Sequence, residues 1–290
     1  MNITTIANIL QLAPPTFDAE ITQLLTDSRR LLLPAQSLFF ALKGMRQNGH
    51  DFIADAYQKG VRNFVISEEI NASDFPSANF LQLANVHAAI HQLARFHRQQ
   101  FDLPIIGITG SNGKTIVKEW LFQILQEDFS IVRSPRSYNS QLGVPLSVWQ
   151  IQAGHTLGIF EAGISKMGEM EKVAPIIDCN IGIFTNIGEA HNEGFSSIGA
   201  KVQEKLRLFE HTKTIIYCLD HAPVHAAMQR LENKHFFTWS KQNNAQADLK
   251  ITAIAKQSST TIEAIYQKQV IAIQIPFTDE PSIENAIHAW

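Results

Sequence analysis

Residues 104–120 read PIIGITGSNGKTIVKEW, and this stretch decides the fold. Its first half, 105–109, is a short apolar run rich in isoleucine, the pattern of a buried strand. Glycines at 107, 110 and 113 break the run, and Lys114 and Thr115 open a segment with helical apolar spacing. Strand, glycine-rich turn and helix in this order predict a phosphate-binding loop. The glycines let the backbone turn tightly and bring its N–H groups onto phosphate oxygens, and the start of the helix adds partial positive charge. Gly110, Ser111, Asn112 and Gly113 are therefore candidate nucleotide contacts. Lys114 is placed for the terminal phosphates and the Thr115 hydroxyl for Mg²⁺. The strict loop pattern asks for glycine where Ile108 stands; here the glycine comes one residue earlier, at Gly107.

Downstream of the loop, apolar strand-like runs at 157–161, 181–185 and 214–218 alternate with helical patterns near 114–126, 168–174 and 197–210. Strands this apolar, separated by helices, predict a mostly parallel sheet covered on both faces. Alternating runs at 250–255, 260–266 and 270–275 predict an antiparallel meander at one edge, and SIENAIHAW (282–290) reads as a new helix. Upstream, Pro104 marks a boundary after a helical stripe over 85–100 with Val86, Ile90, Leu93 and Ala94 on one face. Residues 1–82 contain a strand at 37–42, an amphipathic helix at 50–59 ended by Gly60, and a strand at 62–66. The expected architecture is α/β: a small N-terminal α/β substrate domain (1–82), a connecting helix and linker (83–103), and a central phosphate-loop ATPase domain (104–290).

Composition narrows the class. The 290 residues are 45% hydrophobic and 18% charged, enough to bury a sizeable core in about two domains. A net charge of −3 without a long basic run argues against a nucleic-acid or membrane surface and for small-molecule partners. Cys179 and Cys218 stand far apart in no metal-ligand spacing, which suits a reducing compartment. No basic start precedes a long apolar run, and the most apolar stretch, 31–42, is too short to cross a bilayer, so a cytoplasmic protein is expected; a monomer is the accompanying expectation.

In an open α/β sheet ligands sit beyond the carboxyl ends of the strands. Glu161 ends one strand and His191 follows another, so a carboxylate and an imidazole beside Thr115 make a Mg²⁺ environment. A capping glutamate and a loop histidine are the alternatives. With these residues placed, TGSNGKT, RSYNSQLGVPLSV, FEAGISKMGEM and TNIGEAHNEGF, in this order and spacing, resemble the Mur ligases of peptidoglycan synthesis, and within them the MurF type. TDSRRLLLPAQSLFFALKGMRQNGHDF resembles that family's uridine-nucleotide-binding domain. The family's third, carboxy-terminal domain is expected to lie outside these residues.

The resemblance implies an ATP-dependent ligase that joins UDP-N-acetylmuramoyl-tripeptide to D-alanyl-D-alanine through an acyl phosphate, with ATP and Mg²⁺ as cofactors. The chain as given is expected to turn over little. Lys114 and Thr115 match the family's phosphate and metal positions, and Glu161 and His191 its metal-associated residues. The family carries a lysine carbamylated by CO₂, and Lys205 matches that position, with Lys201 as the alternative. One turn apart on a helix, the two ammonium groups disfavour each other's charge, and only a neutral amine reacts with CO₂. Two positions beyond Lys205 the family usually has an acidic residue; Arg207 stands there. Asn285 resembles the family's adenine contact. Ser28, Arg29, Lys43, Asn48 and His50 occupy positions like those near the UDP-sugar, and Asn139 and Ser140 fall on a substrate position where the family reads Asn-Asn. The competing readings are another ligase of this fold acting on a different acid, such as a folate or an earlier muramyl peptide, or a non-catalytic nucleotide-binding front part of a larger chain, such as a fusion to an alanine racemase.

Overall fold

The computed structural model of the chain describes residues 1–44, 47–188, 194–242 and 244–290. Contacts divide it into two compact units, Met1–Gln100 and Phe101–Trp290.

The first unit is built on a four-stranded parallel sheet: β1 (Gln23–Leu25), β2 (Ser37–Phe40), β3 (Asn63–Ile66) and β4 (Asn79–Gln82), in that order. Phe39, Ala41, Phe64 and Ile66 form its core with Ile53 and Ala56 of the helix α2 (Ile53–Gln58). The helix expected over 50–59 divides in two, because the Asn48 side chain caps a 3₁₀ turn at Gly49–Phe52 before α2 begins. The striped helix α3 (Val86–Arg98), capped by Asn85, packs on α1 (Ile3–Ile9) within this same unit. Asn79 is buried and ties the chain start to the sheet. Its amide donates to Asn63 Oδ1 and Phe17 O at 2.8 Å each, and its Oδ1 accepts from Phe17 N at 3.0 Å. Asn79→Ala leaves these groups unpaired, and urea unfolding is expected to show a loss of about 2 kcal/mol.

The second unit has a nine-stranded sheet. Its strands are β5 (Ile105–Thr109), β6 (Ile131–Arg133), β7 (Leu157–Glu161), β8 (Ile181–Phe184), β9 (Thr214–Cys218), β10 (His235–Ser240), β11 (Leu249–Lys256), β12 (Thr260–Tyr266) and β13 (Gln269–Ile275). The order across the sheet is β13-β12-β11-β10-β9-β8-β5-β7-β6. Pairing is parallel from β6 to β11 and antiparallel through β12 and β13. The parallel sheet with an antiparallel edge is the architecture expected from the alternating apolar runs. Beyond the expected strands, β6 and β10 extend the parallel part.

The helices of this unit are α4 (Lys114–Leu125), α5 (Gly143–Val148), α6 (Met170–Ile177), α7 (Ile198–Leu206), α8 (Ala222–Met228) and α9 (Glu280–Ala289). Helix α6 starts later than expected and runs through Pro175 to Ile177, and α7 stops at Leu206, where a 3₁₀ turn continues to Phe209. Val117 and Leu121 of α4 bury against Ile106, Ile108, Ile159 and Ile183, each burial stabilising by about 2 kcal/mol. Strand β5 lies beside β8, and the connection after β5 runs to β6 while that after β8 runs to β9, in opposite directions, which opens a crevice at their carboxyl ends. The loop 110–113 occupies that crevice.

Candidate functional site

The turn after β5 is feasible only for glycine at two points. Gly110 has φ +143 and Gly113 φ +81; a Cβ would run into Thr185 Oγ1 at the first and Asn285 Oδ1 at the second. The loop is held from the β8 side: Ser111 N donates to Asn186 O at 2.9 Å, Asn112 N to Asn186 Oδ1 at 3.0 Å, and Thr185 Oγ1 to Asn112 O at 2.6 Å. The first turn of α4 therefore starts with its N–H groups at a fixed loop. Lys114 Nζ donates to Gly110 O at 2.8 Å and Ser111 O at 3.1 Å. Burial pushes its pKa down, Glu161 opposes that shift and Lys201 adds to it.

The expected pairing of Thr115 with Glu161 is present. Thr115 Oγ1 donates to Glu161 Oε2 at 2.8 Å, and the carboxylate, at the end of β7, is fully buried. Lys118 Nζ, equally buried, lies 2.9 Å from Glu161 Oε1 as an ion pair outside hydrogen-bond alignment. The motifs did not single out Lys118. Its signal is its place one turn before the buried Leu121 on the inward face of α4, where a lysine needs a carboxylate. Thr115 and Glu161 together present oxygens only, which suits Mg²⁺. Among the described residues no cluster of three His, Cys, Asp or Glu side chains could hold a metal, and His191 lies outside the described residues.

Lys205 is 2% exposed and donates from Nζ to Gly110 O at 3.0 Å, on the same carbonyl as Lys114. Burial first, then Lys114 and Lys201, push its pKa to about 7. Lys201 Nζ donates instead to Gly188 O at 2.6 Å, and burial lowers its pKa too. Of the two lysines, Lys205 touches the phosphate loop. Arg207, where the family usually has an acidic residue, pairs from the turn after α7 with the exposed Glu171 at 2.9 Å and the buried Glu204 at 3.3 Å.

A cleft of about 300 Å³ joins these parts, lined by Gly110, Ser111, Lys114, Lys205, Asn139 and Ser140. Asn139 O accepts from Gly163 N at 2.8 Å, and Asn139 Nδ2 lies 3.5 Å from Glu161 Oε2. Ser140 Oγ accepts from Gly143 N at 3.1 Å at the start of α5. Glu169, also on the cleft wall and missed in the sequence, accepts from Ser165 N at 2.6 Å and from Gln141 Nε2 at 3.1 Å. Asn285 reaches the loop from α9, with its carboxamide against Gly113. Three residues on, the buried His288 holds α9 to the same region: its Nε2 lies 2.7 Å from Thr185 O and its Nδ1 accepts from Trp239 at 3.2 Å. Burial pushes its pKa to about 4, so it is neutral.

In the first unit Lys43, Asn48 and His50 gather around Glu68. Lys43 pairs with it at 2.5 Å, Asn48 Nδ2 donates to it at 3.1 Å, and His50 Nδ1 bonds Asn48 Oδ1 at 2.8 Å. His50 Nε2 accepts from Ser67 N and Glu68 N, so the ring is neutral, and burial lowers its pKa. Ser28 and Arg29 bond other partners, Asp55 at 2.7 Å and Asp27 at 2.8 Å.

A family model described as the Mur ligase middle domain matches residues 108–290, and one described as the Mur ligase family, catalytic domain, matches residues 20–98. The chain belongs to the Mur ligase family. Relatives of this Mur ligase chain include the UDP-N-acetylmuramoyl-tripeptide–D-alanyl-D-alanine ligase of Haemophilus influenzae, 26% identical over 285 residues, covering 94% of this chain and 59% of that protein. The protein of the same description from Treponema pallidum is 34% identical over 191 residues, covering 63% of this chain and 41% of its own length. In structure, MurF from Acinetobacter baumannii superposes with a TM-score of 0.84 at 24% identity, covering 98% of this chain and 62% of that one. MurF ligase from Thermotoga maritima in complex with ADP superposes with a TM-score of 0.79 at 22% identity, covering 92% and 61%. These structural likenesses establish the fold. The kinship by sequence is with the MurF type, and this Mur ligase chain spans less than two thirds of the length of these relatives. No described helix is long and apolar enough to cross a membrane.

Proposed function

We propose that these residues form the acid- and nucleotide-binding part of a cytoplasmic MurF-type ligase, which joins UDP-N-acetylmuramoyl-tripeptide to D-alanyl-D-alanine at the expense of ATP. One observation carries this reading: Lys114, Lys205, Asn139 and Ser140 line a single cleft at the phosphate loop, with the Thr115–Glu161 oxygen pair held beside it. A carboxylate is a poor electrophile because its oxygen leaves badly. Transfer of the γ-phosphoryl group of ATP to that oxygen makes an acyl phosphate; the incoming amine attacks the acyl carbon and phosphate departs. Lys114 would turn from the Gly110 and Ser111 carbonyls to the transferring phosphoryl oxygens. Thr115 and Glu161 would hold Mg²⁺, and Lys205, as a carbamate, would add a second carboxylate-like donor. The ion supplies neutralisation of charge that develops on the phosphoryl oxygens. Asn139 and Ser140 contact the acid substrate, and Asn285 the adenine.

Isothermal titration with UDP-N-acetylmuramoyl-tripeptide and then with ATP and Mg²⁺ tests this assignment. Lys114→Ala is expected to weaken ATP binding about 50-fold, through loss of a charged hydrogen-bond donor of about 2–3 kcal/mol, and to leave tripeptide binding within about twofold. Absence of any uridine-nucleotide binding by the wild-type chain would replace the muramyl substrate with another acid.

A further inference from the structure

Lys118 is fully buried one turn along α4 from Lys114, and the phosphate and metal roles above do not use it. Its Nζ gathers four oxygens from three places. It donates to Ser134 O at 2.8 Å and, by a short bond, to Arg136 O, and it lies 2.9 Å from Glu161 Oε1 and 3.1 Å from Glu119 Oε1. We propose that Lys118 is a positioning residue. From the phosphate-loop helix it clamps segment 134–140, and so sets Asn139 and Ser140 in the arrangement that binds the acid substrate. The substrate part of this inference rests on the function proposed above.

The segment needs such a clamp. Arg136 has φ +51, a left-handed conformation that a non-glycine residue keeps only when its surroundings fix it. Ser134 at its start is buried and bonds Ile159 O at 3.1 Å, but on the far side Pro135 and Arg136 border a second hollow of about 310 Å³ with Arg133 and His155. What holds the turn is the ammonium on its two carbonyls, with the Glu119 and Glu161 carboxylates offsetting the cost of burying the charge. The geometry passes along the chain in three bonds: Tyr138 N to Pro135 O at 3.2 Å, Asn139 N to Ser137 O at 2.8 Å, and Gly163 N to Asn139 O at 2.8 Å. The same segment meets Glu161 again where Ser134 Oγ accepts from Glu161 N at 3.2 Å.

Lys118→Met removes the clamp while keeping the volume. Hydrogen exchange at the amides of 134–140 is expected to quicken about tenfold or more, with β5 unchanged. UDP-N-acetylmuramoyl-tripeptide affinity is expected to fall about tenfold, and metal-free ADP affinity to stay within about threefold. Adding Arg136→Gly to Lys118→Met is the decisive arm. Glycine adopts φ +51 without strain, so the double variant is expected to recover about threefold or more of the lost protection and affinity, which a general loss of stability would not allow. Should Lys118→Met not fold, Lys118→Gln, uncharged and too short to set its amide on both carbonyls, takes its place with the same expectations. Unchanged exchange at 134–140, an equal fall in ADP binding, or no recovery on adding Arg136→Gly would each overturn the proposal. If the wild-type chain binds no UDP-N-acetylmuramoyl-tripeptide, the substrate reading fails, and the exchange data of the single and double variants alone decide the role of Lys118.

Discussion

Gly110→Ala is expected to destabilise the second unit by about 3 kcal/mol and to abolish nucleotide binding. Two costs add. At φ +143 the backbone lies in a region that side chains with a Cβ rarely adopt, and the new methyl group would meet Thr185 Oγ1 directly, with Asn186 N at 3.0 Å and Asn186 O at 3.1 Å behind it. None of these atoms can retreat cheaply. Thr185 Oγ1 is donating to Asn112 O at 2.6 Å, and Asn186 O accepts from Ser111 N at 2.9 Å, so a displaced Thr185 or Asn186 takes the phosphate loop with it. The Gly110 carbonyl also receives both Lys114 and Lys205, so a shift there disperses the two lysines of the cleft together. Gly154→Ala is the control, because a Cβ at Gly154 meets nothing within 4 Å; its unfolding free energy in urea should change by less than about 0.5 kcal/mol. Equal stability of the two alanine variants, or ADP binding by Gly110→Ala, would remove the steric argument for the loop.

The sequence carried most of this site because its parts are local. A strand that must be buried on both faces reads as an uninterrupted apolar run, so β5, β7, β8 and β9 were legible, and each strand end then pointed to a loop worth inspecting. Glu161 follows from that rule, because it ends β7, and Thr115, 46 positions earlier, follows from the phosphate-loop pattern after the neighbouring strand β5. Edge and short strands were not legible. Strands β1 (QLL) and β6 (IVR) are too brief to show a period. Strand β10 is half-covered, with its first residues exposed or intermediate, and its HFFTWS run shows neither clean alternation nor full burial. Lys118 was missed for another reason. A lysine in a helix reads as solvated, and its partners Ser134 O and Arg136 O are backbone atoms, which no side-chain motif announces. The contact of Asn285 with the loop depends on α9 packing on α4, a long-range event that the sequence of α9 alone does not encode.

Lys205→Met is expected to make the chain more stable at pH 7 while removing the function assigned to that position. The folded state holds the amine at a pKa of about 7 against an ordinary 10.5. Between these values the unfolded chain keeps its proton and the folded chain has released it, so wild-type stability rises as pH climbs from 7 to 10.5. Below 7 both states carry the proton, and the full penalty of burying the charge remains. The span is worth on the order of 4 kcal/mol, and loss of the bond from Nζ to Gly110 O offsets about 1 kcal/mol of what methionine gains. Urea unfolding of wild type and variant across this range is therefore expected to show the methionine form ahead by about 2–3 kcal/mol at pH 7, with the gap closing toward pH 10. A gap that does not change with pH would mean that Lys205 is not held neutral by its surroundings. The same depressed pKa leaves a large fraction of the amine unprotonated near neutral pH, ready to form an N–C bond to CO₂ with release of a proton. Bicarbonate labelled with ¹³C should then give a carbamate signal in the wild type that Lys205→Met lacks and Lys201→Met keeps, because Lys205 bonds the phosphate-loop carbonyl of Gly110 while Lys201 donates to Gly188 O. A signal lost in Lys201→Met instead would transfer the assignment to that residue. With that signal confined to Lys205, a buried lysine that weakens the fold around neutral pH would be a case of stability given up for chemistry.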